Sequence, residues 1–264
     1  MPPPFAFFKG SSPVLQGGVV DSPYHCPRPI HLMHNFPDTT EESRRRWEIN
    51  ADYWDERMGD TSNFFHCNIV RPHTEQLLDL REGDLVLDIA CGTGNFSQRL
   101  AERGAVVVAF DDSETMIAHA KRRRFAYRDK ISFHVCDATD YAQLRSLKQE
   151  RPFDKAVSNM AVMDIADIEP LFRAVGEMLK HGGIFVFSTH HPCFTRPQDN
   201  YRTPCVHEGE AIKGQPVPGY YYHRPLQDIF RICFDAGFVI DGFFEERDDD
   251  EEYPVIMIVR LRKR

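Results

Sequence analysis

No run of the 264-residue chain approaches the ~20 consecutive apolar residues that a membrane-spanning helix needs, so no span is expected. The opening Met1-Pro-Pro-Pro-Phe-Ala-Phe-Phe-Lys-Gly lacks the apolar core of a secretory signal, and a cytoplasmic protein is expected. Paired cysteines are missing as well. The seven cysteines, at 26, 67, 91, 136, 193, 205 and 233, are odd in number and contain no C-x-x-C pair, which excludes a disulfide framework and points to reduced thiols. Positive charge is in deficit: 32 Lys and Arg face 40 Asp and Glu, a formal charge of −8. That balance argues against a broad footprint for nucleic acid or an anionic membrane and favours a small-molecule partner, with the chain acting as a monomer or homodimer. What is present in quantity is apolar residue, 42% of the chain, enough for one full core.

Leu85-Val-Leu-Asp88-Ile89 is a β-type apolar run that breaks into small residues, Ala90, Cys91, Gly92, Thr93 and Gly94, before an amphipathic segment resumes at Phe96. That order predicts strand, tight turn, helix. Glycines at the turn let a ligand approach the backbone closely, and the free N–H groups of a new helix favour electron-rich groups, so a nucleotide-like ligand is expected over the loop. The dinucleotide fingerprint G-x-G-x-x-G requires a third glycine three residues after the second. Gly94 is followed by Asn95, Phe96 and Ser97, and a dinucleotide is disfavoured.

The acid that ends the strand, with two glycines one apart, Asp88-Ile-Ala-Cys-Gly92-Thr-Gly94, resembles motif I of the class I S-adenosylmethionine-dependent methyltransferases. Later segments agree in order. Ala105–Phe110 is a second apolar run ending in Asp111-Asp112-Ser113-Glu-Thr-Met116, and a carboxylate at such a strand tip suits two vicinal ribose hydroxyls. Ile131–Val135 is followed by Cys136-Asp137-Ala138, where the family's aspartate caps the adenine amino group. Phe153–Ala161, with Ser158-Asn159-Met160, resembles motif IV, whose end faces the reacting methyl in the family, and Gly182–Ser188 resembles the fifth strand.

The resemblance spans roughly residues 47–264 and implies an α/β fold: a Rossmann-like, seven-stranded, mostly parallel sheet flanked by helices, the last strand antiparallel, with an inserted lid after strand 5. It implies S-adenosylmethionine as cofactor and S-adenosylhomocysteine as product. The cofactor-binding residues it implies are Tyr53, Asp88, Ala90, Gly92, Gly94, Asp111, Asp112, Met116, Asp137, Ala138 and Asn159. One departure stands out. The family usually has glycine where this chain has Ala90, which tolerates the turn only if its φ is negative.

Along the chain, residues 1–40 read as an extended, partly disordered arm, rich in proline and glycine. Residues 41–80 form a helical lid and a first core helix. Trp47, Ala51 and Trp54 share one helical face, Trp47 being assigned to the core, while Tyr53, Trp54 and the loop Asn63-Phe64-Phe65-His66 are candidates for covering the cofactor. The core helix is expected over Ile69–Leu80, interrupted by Pro72. Residues 81–264 form the catalytic core, with helices at Ser97–Arg103, 141–149, 168–180 and Leu226–Ala236 and closing strands at Phe238–Glu246 and Val255–Arg262. Residues 189–225 form a long, structureless insert expected to cover the substrate. The basic run Lys121–Arg124 is assigned to a solvated helix end.

Methyl transfer from a sulfonium needs alignment and dryness more than acid–base machinery, but a base helps when the acceptor carries a proton. His191 and His223 are the expected bases, flanking the insert, with Trp54, Phe64, His190 and Tyr221 expected to meet the substrate. His190, His191, Cys193, Cys205 and His207 have metal-ligand chemistry but match no zinc spacing, so no metal is assigned. Motif IV lacks the Asn/Asp-Pro-Pro-Tyr/Phe box of enzymes that methylate amines of bases or amides. The expected acceptor is therefore an O or N atom of a small, aromatic or heterocyclic molecule; the alternatives are an RNA or protein methyltransferase using Lys121–Arg124, or a non-catalytic cofactor-binding module.

Overall fold

In a computed structural model, the described residues are Phe36, 39–193, 201–247 and 253–264. Nearly all of the expected arm, residues 194–200 of the insert and most of the acidic loop after Glu246 lie outside them. The apolar run at Leu85 forms β1 (Leu85–Ile89), buried along its whole length, as expected for a strand covered on both faces. Leu85, Leu87 and Ile89 enter one core, and Val86 enters a second on the opposite face of the sheet. Further strands are β2 (Val106–Asp111), β3 (Ile131–Val135), β4 (Phe153–Asn159), β5 (Leu179–His190), β8 (Phe238–Glu246) and β9 (Ile256–Lys263). Their order is β3-β2-β1-β4-β5-β9-β8, with β1 to β5 parallel and β9 antiparallel to both neighbours, the seven-stranded arrangement expected. The chain leaves β1 toward β2 on one side and later places β4 on the other. In open α/β sheets that reversal creates the binding crevice at the carboxyl ends of the strands.

The helices around this sheet are α1 (Thr40–Met58), α2 (Arg71–Leu78), α3 (Asn95–Glu102), α4 (Glu114–Arg123), α5 (Tyr141–Ser146), α6 (Glu169–Met178) and α7 (Leu226–Asp235). Three boundaries differ from expectation for local reasons. Pro72 does not interrupt a helix; it sits in the first turn of α2, where its missing N–H is no loss, and a π-helical turn (His66–Val70) leads into it. α6 ends at Met178 because residues 179–181 are drawn into β5. α5 is shorter than its periodicity suggested, held at its start by Asp140, whose side chain accepts from Ala142 N and Gln143 N.

The insert is not structureless. β6 (Cys205–Gly209) and β7 (Gly219–His223) pair antiparallel as a separate hairpin, and their connecting loop is fastened to α1. Asn50 Nδ2 donates to Val217 O at 2.9 Å while its Oδ1 accepts from Val217 N at 3.1 Å. The Tyr53 hydroxyl donates to Lys213 O at 2.7 Å, and the Arg46 guanidinium lies 3.9 Å above the Tyr220 ring. On its other flank α1 is fastened to α4. Glu48 accepts from Ser113 Oγ at 2.5 Å and from Thr115, capping α4 from a neighbouring helix, and Asp55 pairs with Arg122 and Arg123. Among the described residues, no helix is long and apolar enough to cross a membrane.

Candidate active site

A cavity opens at the carboxyl ends of β1, β2 and β4, floored by the turn after β1. That turn is built from three left-handed residues, Ala90 (φ 51°), Gly92 (φ 54°) and Gly94 (φ 72°). Ala90 therefore adopts the conformation that its methyl group disfavours, contrary to the negative φ expected for it. Gly94 serves packing: a Cβ there would stand 2.8 Å from the Phe133 ring and 3.2 Å from Arg124 Cγ, and the residue itself does not line the cavity. Asp88, at the penultimate position of β1, is buried and accepts from Ser97 Oγ at 2.6 Å, which binds the strand to α3. Burial, and then the charge of Asp111, push its carboxyl up to about 7.

The wall beside the turn is acidic. Asp111 closes β2 and holds the loop in place, its Oδ2 accepting from Gly92 N at 2.8 Å and its Oδ1 from Ser113 N at 3.1 Å. Burial pushes its carboxyl up in spite of those bonds. Asp112 is pushed up to about 7 by burial and by Asp137, with Arg44 working in the opposite sense. Asp137 is oriented by Thr139, whose N and Oγ both donate to its Oδ1 at 2.7 Å. Met116 and Ala138 supply apolar wall between these carboxylates, and Asn159 at the end of β4 accepts from Thr74 Oγ at 3.0 Å. Met160, next in the chain, is also left-handed (φ 52°), its N–H donating to Ser188 O and Oγ.

The roof is one face of α1. Thr40, Ser43, Arg44, Trp47, Trp54 and Met58 recur at helical spacing and all line the cavity. The Trp47 and Trp54 rings meet edge to face, centroids 5.3 Å apart, and the Trp54 indole nitrogen would lie 3.6 Å from a Cβ placed on Gly92. His66 packs edge-on to Trp54; burial and the nearby Arg71 push its imidazole down to about 4, so it is neutral. Past β4, Asp164 lines the far wall.

A family model described as "Methyltransferase domain" matches residues 80–217, more than half of the chain. The chain belongs to this methyltransferase family. It is 31% identical over 173 residues to phosphoethanolamine N-methyltransferase 1 of Arabidopsis thaliana, covering 65% of this chain and 32% of that protein. It is 26% identical over 156 residues to the ubiquinone biosynthesis O-methyltransferase of Hydrogenovibrio crunogenus, covering 59% and 62%. The chain thus spans less than two thirds of the length of these curated relatives. Among solved structures, an S-adenosylmethionine-dependent methyltransferase from Mesorhizobium loti superposes with a TM-score of 0.56 at 26% identity, over 73% of this chain and 96% of that one.

Of the cofactor-binding residues expected from sequence, the fold brings Asp88, Ala90, Gly92, Asp111, Asp112, Met116, Asp137, Ala138 and Asn159 to one cavity. Two are placed elsewhere: Gly94 packs beneath the loop, and Tyr53 turns outward to the insert. Trp54 lines the cavity, and so does Trp47, which had been assigned to the core. The remaining substrate and base candidates lie apart from this cavity. Phe64 is 76% exposed and away from the cavity. β5 continues to His190, two residues beyond Ser188, and His191 N then bonds Val255 O, so the strand carries its histidines past the site. His191 Nε2 ends 2.9 Å from Glu245 Oε1. His190, Tyr221 and His223 line a separate small recess, His223 Nε2 lying 2.9 Å from Tyr201 O.

The basic run is corrected as well. Arg124 is only 2% exposed, bonding Gln98 Oε1 at 2.6 Å and Asn95 Oδ1 at 2.9 Å, and Arg122 and Arg123 are held by Asp55. Three of its four cations are engaged by Asn95, Gln98 and Asp55, so the run is not simply a solvated helix end. Sequence reasoning missed Arg44 and Asp164, while His66, from the loop expected to cover the cofactor, does line the cavity. Arg44 carried a signal, since it falls on the Trp47–Trp54 face; Asp164 depends on how separate segments meet.

Proposed function

We propose that this methyltransferase transfers the methyl group of S-adenosylmethionine to an O or N atom of a small, aromatic or heterocyclic molecule, with S-adenosylhomocysteine as product. The observation that supports it most is the gathering of the turn after β1, Asp111 and Asp112 after β2, Asp137 after β3 and Asn159 after β4 around one cavity. The fit to the cofactor is chemical. Asp111 and Asp137 are acceptors already fixed in orientation by backbone or side-chain donors, and each carboxylate retains lone pairs for the hydroxyl and amino donors of an adenosine. Asp112, pushed up to about 7, marks a wall short of donors that a donor-rich ligand would relieve.

When bound, the sulfonium supplies an already activated methyl group. The chain's own part is then to hold, align and keep dry. The turn at Ala90–Gly92 receives the amino-acid end, Asp111 the sugar and Asp137 the base, while Trp47 and Trp54 exclude water from above. Flat aromatic walls favour a flat acceptor, and the long relatives that act on small molecules by name fit that scale.

Calorimetry with S-adenosylhomocysteine tests this. Asp111→Ala is expected to weaken binding at least tenfold, because a charge-assisted hydrogen bond contributes about 1.5–3 kcal/mol. Unchanged affinity would remove Asp111 from the site, and absence of binding by the unaltered protein would overturn the assignment.

A further inference from the structure

The carboxylates assigned to the cofactor leave one over. Asp164 ends a short 3₁₀ turn (Val162–Asp164) five residues beyond β4, on the cavity wall nearest Thr40 and Ser43 of the roof. Its main chain is satisfied, the N–H donating to Ala161 O at 2.8 Å and the carbonyl accepting from Ser43 Oγ at 3.5 Å. Its side chain is not. Oδ1 is shielded from solvent and has no hydrogen-bond partner among the described residues. Burial pushes this carboxyl well up, and the charge of Asp111 across the same cavity pushes it further. The cavity carries five aspartates, at 88, 111, 112, 137 and 164, against the arginines 44 and 71, and neither arginine pairs with Asp164 among the described residues. A carboxylate on a cavity wall with one oxygen shielded and unpaired is costly in the empty protein, and a ligand that brings a donor to that wall relieves it.

Resting on the methyltransferase assignment above, we propose that Asp164 is the acceptor-side carboxylate: it receives the N–H or O–H of the methyl acceptor and takes up its proton during transfer. In that step a lone pair on the acceptor's N or O forms the bond to the methyl carbon, and the carbon–sulfur bond breaks with its electron pair going to sulfur. The proton leaves N or O for an Asp164 oxygen. The site therefore selects proton-bearing nucleophiles, amines and hydroxyls, and rejects carboxylate acceptors, which would set a second anion against Asp164. The role expected of His191 and His223 falls to a carboxylate supplied by the segment after β4, on the wall the cofactor leaves free.

The test needs no knowledge of the acceptor. Sinefungin carries an ammonium group where the sulfonium methyl would stand, and S-adenosylhomocysteine carries nothing there. Calorimetry on the full chain at pH 7 is expected to show sinefungin binding at least tenfold tighter than S-adenosylhomocysteine. Asp164→Asn should abolish that preference while changing S-adenosylhomocysteine affinity less than twofold. A preference that survives Asp164→Asn, or an equal loss for both ligands, would overturn the proposal. Should the variant not fold, the unaltered protein still decides: equal affinity for sinefungin and S-adenosylhomocysteine would overturn the proposal. If neither ligand binds, the methyltransferase assignment itself fails, and this proposal with it.

Discussion

At Ala90 a single methyl group works against the backbone. A left-handed conformation costs a non-glycine residue about 1–2 kcal/mol, and the turn imposes φ 51° there. Ala90→Gly removes that strain but adds about 0.5–1 kcal/mol of unfolded-state entropy, so it should stabilise the protein by roughly 0.5–1 kcal/mol. Urea unfolding of the two proteins checks this, and a destabilised variant would show that the turn does not hold Ala90 as described. The same turn shows what a sequence carries at this scale. Asp88, Gly92, Asp111 and Asp137 could be placed from sequence because each stands at the end of a strand whose apolar run is local and obvious. Asp164 could not. Nothing near Asp164 in the chain distinguishes it from the surface acid at Asp167; only the approach of α1 makes one of them a shielded wall and leaves the other exposed.

At the scale of elements, α1 is the part whose face was legible and whose fastenings were not. The spacing of Trp47 and Trp54 identified the face, but the partners of α1 lie more than 60 residues away in α4 and more than 150 away in the insert. The Lys121–Arg124 run could only be taken as solvated, because a charge run does not reveal that Asp55 and Asp60 will be laid across it. The geometry makes a specific demand on Asp55. Its carboxyl is buried and carries Arg122, Arg123 and a contact at 3.3 Å to His119, so Asp55→Ala strands cations at the α1–α4 seam. Breaking a buried pair costs about 3–5 kcal/mol, but Arg122 is largely exposed, and roughly 2 kcal/mol is expected here. The loss should be local. Amide exchange should accelerate across residues 40–58 while β1 and β4 keep their protection, and an unchanged α1 would mean that the insert alone holds the roof.

For the whole molecule, the concentration of acids at one end of the sheet ties stability to pH. Asp88 rises to about 7 on folding from an ordinary value of 3.8, so the folded state binds more protons than the unfolded one between those limits. Its contribution is therefore fully present below about pH 4 and is lost as pH rises toward 7, the reverse of an ordinary salt-bridged aspartate. His66, pushed down to about 4, works oppositely across much of the same window, since its unfolded form gains a proton as pH falls below 6.5. The two partly cancel in the unaltered protein, and only a difference measurement separates them. Asp88→Asn keeps an acceptor for Ser97 and abolishes the titration. The stability of the unaltered protein relative to this variant should fall as pH rises from 5 to 6.5, with a slope approaching about 1.4 kcal/mol per pH unit, the limit for one proton. Urea unfolding of both proteins across that range gives the slope directly. A difference that stays constant would mean that Asp88 is already ionised at pH 5, and that the base of the turn is wetter than its packing against Ser97 and Cys91 requires.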